Sequence, residues 1–348
     1  MALPSNPITF DQVIKALLDE QHPFPPTYLH SFSDISAKDL RSLKEIWEKV
    51  KADRRVSLLE DLEDIADADT LVSFDEIGKF ALMDPDPRAR VVATRLLWED
   101  DDRKLIPLLL SLLVNDDDET VRAAAASALG KYIYLGELEE IPAEDLRLVE
   151  SNLLEVVEGK EKKLVRCNAL EALGFSGNEE VSELIKNAYD TDDPDWVSSA
   201  LFAMGRTADE AWQPQIMKML KSKDAKIQIE AIRAAGELTI QDARDPLLDM
   251  LEDGIDDDEL REAVAWALSK IGGENVREAI EKLIENAEED EDAEFLETAL
   301  ENLSFTEDYM RMELFDFGNA EDGDDSDSIM DLEEDDDDSD FTNEDGEP

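Results

Sequence analysis

Apolar residues recur along most of this chain at spacings of three and four, and no stretch alternates apolar and polar residues as a half-buried strand would. The clearest run is TVRAAAASALG (120–130), an alanine-rich helix led by an arginine. Aligning the chain on this run gives seven copies of thirteen positions. They are DPRARVVATRLLW (86–98), DETVRAAAASALG (118–130), KKLVRCNALEALG (162–174), DPDWVSSALFAMG (193–205), DAKIQIEAIRAAG (224–236), DDELREAVAWALS (257–269) and DAEFLETALENLS (292–304). Their last residues are spaced by 32, 44, 31, 31, 33 and 35, which is one repeated unit with a single long insertion.

Each column has a physical reason. Position 1 is Asp in six copies (Asp86, Asp118, Asp193, Asp224, Asp257 and Asp292), the residue whose carboxylate caps orphan N–H groups at a helix start. Pro87 and Pro194 follow where the first turn needs no donor. Position 8 is Ala in six copies, so a neighbouring helix can approach closely. Gly130, Gly174, Gly205 and Gly236 at position 13 are expected to end the helix in a left-handed conformation.

A second amphipathic segment follows each of the first six copies, as in RKLIPLLLSLL (103–113), EEVSELIKNAY (179–189), QPQIMKML (213–220), RDPLLDML (244–251) and ENVREAIEKLI (274–284). Helical hairpins recurring every ~30 residues predict an all-α fold, an α-solenoid in which each unit buries its face only against its neighbours. LRSLKEIWEKV (40–50), RRVSLLEDLEDIA (54–66) and FDEIGKFALM (74–83) are also amphipathic, and HPFPPTY (22–28) reads as a turn or short rigid link. The expected organisation is a divergent helical cap and first repeat over 1–83, the regular solenoid over 84–317, and a disordered acidic tail over 318–348.

The Asp-Pro-x-V-R-x-x-A-x-x-A-L-G form of the copies resembles HEAT repeats, in particular the short HEAT-like repeat of bilin (phycocyanobilin) lyases, across roughly residues 84–304. That resemblance implies a stacked helical scaffold used mainly for protein binding, with a ladder of Asp and Arg side chains between units. Arg90, Arg122, Arg166 and Arg261 fill position 5. Three of them stand one turn from a capping residue: Asp86 with Arg90, Asp118 with Arg122, Asp257 with Arg261. Each guanidinium is expected to reach a carboxylate in its own or the adjoining repeat, as scaffolding and not as a ligand clamp.

Charge then narrows the partners. The 348 residues carry 90 Asp and Glu against 34 Lys and Arg, a net charge of −56. Nucleic acid and anionic membrane surfaces are poor partners for such a chain, because binding them needs cations. Sixteen of the excess negative charges lie in residues 321–348, where Ile329, Met330 and Leu332 form one small apolar island and a candidate partner motif. A basic protein, drawn in by electrostatic steering, is the partner this balance favours. No secretory leader is recognisable and the longest uncharged apolar run, LIPLLLSLLVN (105–115), falls short of the ~20 residues that span a bilayer. With Cys167 as the only cysteine, the expected location is cytoplasmic.

The insertion KYIYLGELEEIPAED (131–145) holds Tyr132, Ile133, Tyr134 and Leu135. They are expected either to pack an extended first helix against its own loop or to form a partner-binding protrusion. Catalytic chemistry has little to start from. The two histidines, His22 and His30, lie outside the copies, whereas deoxyhypusine hydroxylases, metalloenzymes on this repeat, use His-Glu pairs. No phosphate-binding glycine loop or EF-hand spacing occurs, and Trp98, Trp196, Trp212 and Trp266 fall at helical packing positions or hairpin corners. The reading is therefore a non-catalytic protein-interaction scaffold without cofactor or metal. A lyase or oxidoreductase related to the bilin lyases or deoxyhypusine hydroxylases is the alternative that the missing His-Glu pairs disfavour.

Overall fold

The computed structural model describes residues 8–287 and 290–320, with side chains at 8–287 and 292–309. Helices are the only regular elements among the described residues. At the N-terminus stand α1 (Phe10–Leu18), α2 (Ala37–Ile46), α3 (Ala52–Ala68) and α4 (Asp75–Ala81), with 3-10 turns at Pro26–Phe32 and Trp47–Lys49. Paired helices follow: α5 (Pro87–Leu96) with α6 (Leu105–Asn115), α7 (Glu119–Glu137) with α8 (Ala143–Glu158), and α9 (Lys163–Leu173) with α10 (Glu179–Tyr189). Next come α11 (Pro194–Arg206) with α12 (Gln213–Met219), α13 (Ala225–Glu237) with α14 (Arg244–Asp253), and α15 (Asp258–Ile271) with α16 (Val276–Asn286), before the long α17 (Asp290–Ala320). The helix continues to Ala320, two residues past the start expected for the tail. Ile329, Met330 and Leu332 lie outside the described residues.

The capping logic holds at five helices. Asp86, Asp118, Asp193, Asp224 and Asp257 accept from the backbone N–H of Arg88, Thr120, Asp195, Ile227 and Leu260. Asp292 is different: α17 already runs from Asp290, so Asp292 is helical and not a cap.

The glycines do something other than expected. Gly130, Gly205 and Gly236 lie inside their helices, and Gly174 ends α9 with right-handed angles, φ −54° and ψ −23°. Each instead touches position 11 of the next copy. A Cβ on Gly130 would stand 3.1 Å from Cα of Ala172, on Gly174 2.9 Å from Ala203, on Gly205 3.0 Å from Ala234 and on Gly236 2.7 Å from Ala267. Glycine facing alanine is thus the seam between repeats. One step further along, Ser269 replaces glycine and its buried hydroxyl accepts from Asn302 Nδ2 at 2.9 Å.

The alanine-rich helices α3, α5, α7, α9, α11, α13, α15 and α17 form one continuous layer, while their second helices meet one another far more sparingly. A stack spaced closely on one side and loosely on the other bends toward the close side. The alanine layer therefore lines the inner face.

The insertion resolves as length. α7 simply continues to Glu137, and Tyr132, Ile133 and Leu135 are buried in its packing, which corrects their candidacy as partner contacts. Hydroxyl Oη of Tyr132 donates toward the carbonyls of Asp100 and Asp102, both at 3.3 Å. Tyr134 alone of the four reaches the surface, with 47% exposure.

Candidate functional site

Two sets of side chains bridge the repeats. The first is the arginine column. Arg90 does not pair with its own cap: Nε and Nη2 donate to Asp116 in the adjoining repeat at 2.8 and 2.7 Å, and Nη1 donates to the carbonyl of Asp84 at 2.7 Å. Arg122 repeats this arrangement toward Glu161, at 3.2 and 3.0 Å, and the carbonyl of Asp116 at 2.8 Å. Arg261 reaches Asp292 at 3.2 Å and Asp258 at 2.6 Å. Arg166 holds the carbonyl of Val157 at 2.8 Å and lies over the ring of Trp196, 5.0 Å from its centroid. Gln228 keeps only the carbonyl contact of the column, to Leu220 at 2.9 Å.

Sequence reading missed the first rung. Arg55 in α3 occupies the same column, and it forks onto Asp84 at 2.8 and 2.9 Å while donating to the carbonyl of Val50 at 2.6 Å. The signal was present at the right spacing, since Lys51 stands where the cap would be. Leu58 at position 8 and Asp61 at position 11, in place of the alanines of the later copies, concealed it. Every one of these arginines is absorbed by structural partners and points into the joints between units.

The second set is the inner face proper. On each first helix, positions 3, 7, 10 and one residue past position 13 share one stripe by helical spacing. Between neighbours, position 10 of one copy meets position 7 of the next. Ser127 donates to Asn168 Oδ1 at 2.7 Å, and Ser199 donates to Glu171 Oε1 at 2.5 Å. By the same register Phe202 stands opposite Glu230, and a phenyl ring has no proton to give. Glu230 Oε1 accepts from Arg233 Nη1 at 2.8 Å, but its Oε2 is buried with no donor.

Around this break the stripe carries aromatic and charged residues together. The Arg206 guanidinium lies between Phe202 and Phe175, 4.2 and 4.5 Å from their centroids, and bonds the carbonyl of Glu171 at 3.0 Å. Exposed Tyr134 continues the row, its ring 5.3 Å from Phe175. Toward the other end Lys270 lies 5.9 Å from the Trp266 centroid and bonds Glu237 at 2.7 Å. Burial pushes the carboxyls of Glu171 and Glu230 above the ordinary range and brings Arg206 down to about 10. Asp195, at the edge, moves the other way, held low by hydrogen bonds from Lys163 and Lys226 at 2.5 and 3.0 Å. Perturbed groups gathered on one face make that face a candidate functional surface.

Cys167, the lone cysteine, is buried within α9, and burial raises its thiol pKa. No group of three or more His, Cys, Asp or Glu side chains able to hold a metal is gathered among the described residues. Nor is any described helix long and apolar enough to cross a membrane.

Residues 75–147 and 213–304 match the family described as HEAT repeats. Both stretches carry HEAT-like repeats. The copies at 162–174 and 193–205, between the two matched stretches, continue the same seam and layer. No curated protein matches the chain in sequence. Among solved structures, the CpcE–CpcF complex of phycocyanin lyase from Nostoc sp. PCC7120 is similar at 20% identity and TM-score 0.43, over 66% of this chain and 94% of that one. Human deoxyhypusine hydroxylase in complex with glycerol is similar at 16% identity and TM-score 0.35, over 85% and 96%. Kap121p bound to Pho4p is similar at 16% identity and TM-score 0.40, over 85% of this chain and 38% of that one. Likeness at this level bears on nothing finer than helical architecture.

Proposed function

We propose that this HEAT-repeat chain is a non-catalytic scaffold that holds a basic segment of a partner protein along its inner face. The observation that supports this reading is the continuity of that face. The same helix positions of successive repeats form one stripe, and at its centre the stripe combines aromatic rings with carboxylates and guanidinium groups. Aromatic and mixed charged residues together suit a polypeptide better than a small molecule. The net charge of −56, with sixteen excess charges in 321–348, steers cationic proteins toward it and repels nucleic acid.

Affinity capture from lysate, at low and at physiological salt and with and without residues 321–348, tests the reading. The expected result is a small set of basic proteins whose capture weakens as salt rises and falls further without the tail. Tyr134→Ser should reduce their capture while leaving thermal unfolding unchanged. Capture that is indifferent to salt, or dominated by acidic proteins, would refute it.

A further inference from the structure

We infer that the exposed face of α6 pairs with the same face of a second copy of this chain, antiparallel and about a twofold axis. The pairing concerns the outer row of second helices and is independent of how the inner face is used.

The first observation is local absence of charge. Charged residues make up 36% of the chain, yet α6, LIPLLLSLLVN, carries none, and it is the only described α-helix of which that is true. Leu105, Ile106, Leu109 and Leu113 are buried and hold the helix in the array. On the solvent side other second helices place charge, as α10 does with Glu180, Glu183 and Lys186 and α16 does with Glu278, Glu281 and Lys282. In α6 that side is Pro107, Leu108, Ser111 and Val114, with Leu108 41% and Val114 60% exposed. Leu148 of α8, 47% exposed, lies on the same helix face as Asp145, whose carboxylate bonds Arg103 at the start of α6 at 2.7 Å. Single exposed apolar residues are ordinary, but a whole helix face without charge in so acidic a chain is not.

Charge also selects the occupant. A second copy brings another −56 and is repelled over most of this acidic surface, but α6 offers it no like charge. The two ends of the face differ in sign. Lys104, whose side chain is 87% exposed, stands at the N-terminal end, and exposed Asp117 lies just past the C-terminal end. Antiparallel pairing centred between Leu110 and Ser111 sets Pro107 against Val114 and Lys104 against Asp117 of the second copy, each twice by symmetry. Parallel pairing would set Lys104 against Lys104. The face is therefore complementary to itself in one direction only.

Size sets the strength. A helix of 11 residues is ~16 Å long and presents less than the ~800 Å² per partner of a standard interface. The dimer is accordingly weak, with a Kd on the order of 10–100 μM.

Sedimentation equilibrium of the full-length protein, at concentrations up to ~500 μM and at 0.15 and 0.5 M salt on the order of one and three times physiological strength, tests this. Reversible dimers should form and should strengthen at the higher salt, which screens the repulsion between two acidic chains. Leu108→Glu with Val114→Glu should abolish them and leave thermal unfolding unchanged, since both side chains face solvent. At the lower salt, Lys104→Glu alone and Asp117→Lys alone should each weaken the dimer by about fivefold or more, and the two together should restore it to within about twofold. Ser111→Cys, next to the twofold axis, should cross-link into dimers on mild oxidation, whereas the native chain, with Cys167 buried, should not. A monomer throughout, a dimer weakened by salt, a dimer that survives Leu108→Glu with Val114→Glu, or a charge swap that fails to restore pairing would each overturn the inference.

Discussion

Asp84→Ala should be the most damaging single substitution in the N-terminal third. Asp84 is 3% exposed and Arg55 5%, so neither charge is served by solvent. Oδ2 accepts from Trp47 Nε1 at 2.6 Å and Arg55 Nε at 2.8 Å, and Oδ1 accepts from Arg55 Nη2 at 2.9 Å and the backbone N–H of Asp86 at 2.8 Å. Truncation strands a buried guanidinium, an indole N–H and a backbone N–H together. Removing one partner of a buried pair costs ~3–5 kcal/mol, whereas an exposed pair contributes ~0–1 kcal/mol. The pair Arg88–Asp53, with side chains 57% and 88% exposed, provides the contrast within the same repeats. We predict a loss of ~3–5 kcal/mol for Asp84→Ala and under ~1 kcal/mol for Asp53→Ala. Repeat arrays can unfold in sections, so urea unfolding followed by circular dichroism should be joined to hydrogen exchange of α3 and α5 amides. The apolar pair Arg55→Met with Asp84→Leu should recover part of the loss, but not all, because Trp47 Nε1 and the Asp86 N–H remain without an acceptor. Equal, small effects for Asp84→Ala and Asp53→Ala would refute the buried rung.

Gly236→Ala should destabilise by ~1–3 kcal/mol through overpacking against Ala267, less the ~0.5–1 kcal/mol that alanine gains over glycine in a helix. A stabilised variant in urea unfolding would remove the seam. Asp118→Ala should cost ~1 kcal/mol through the lost cap, and unchanged thermal melts would sink that assignment. Glu171→Gln and Glu230→Gln should leave the chain at least as stable as the native protein at neutral pH. Burial raises both carboxyls, so the folded state binds their protons more tightly than the unfolded state and native stability falls as pH rises from about 4.5 through the raised folded values. The advantage of the Gln variants should therefore shrink on acidification, read as melting temperature against pH.

Much of this arrangement was legible in sequence, and the failures share a cause. Aspartate before an apolar period has one common use, and five of the six predicted caps accept the bonds foreseen for them. Glycine after such a period has two uses, ending a helix or admitting a neighbour, and local sequence does not separate them. The contact of Gly236 with Ala267 exists only once two repeats are stacked. Likewise Arg90 finds Asp116 rather than the nearer-in-sequence Asp86, because the joint between repeats brings that carboxylate to it. For Tyr132, Ile133 and Leu135 the sequence left two readings open, an extended first helix or a partner-binding protrusion, because a long insertion fits either. Continued helical period places them against the core instead. The orphaned oxygen of Glu230 is the least legible feature, since it depends on which residue of the preceding repeat stands opposite.

The excess of carboxylates itself divides in two once the array is assembled. Asp86, Asp118, Glu161 and Asp195 are held low by hydrogen bonds from Arg88, Thr120, Arg122 and Lys163 respectively. A depressed carboxyl stabilises the fold above its unfolded value and loses that contribution as pH falls through the folded value. Glu171, Glu230 and Glu262 are raised, chiefly by burial, and act in the opposite sense. Acid therefore loosens the edges and joints while relieving the inner face.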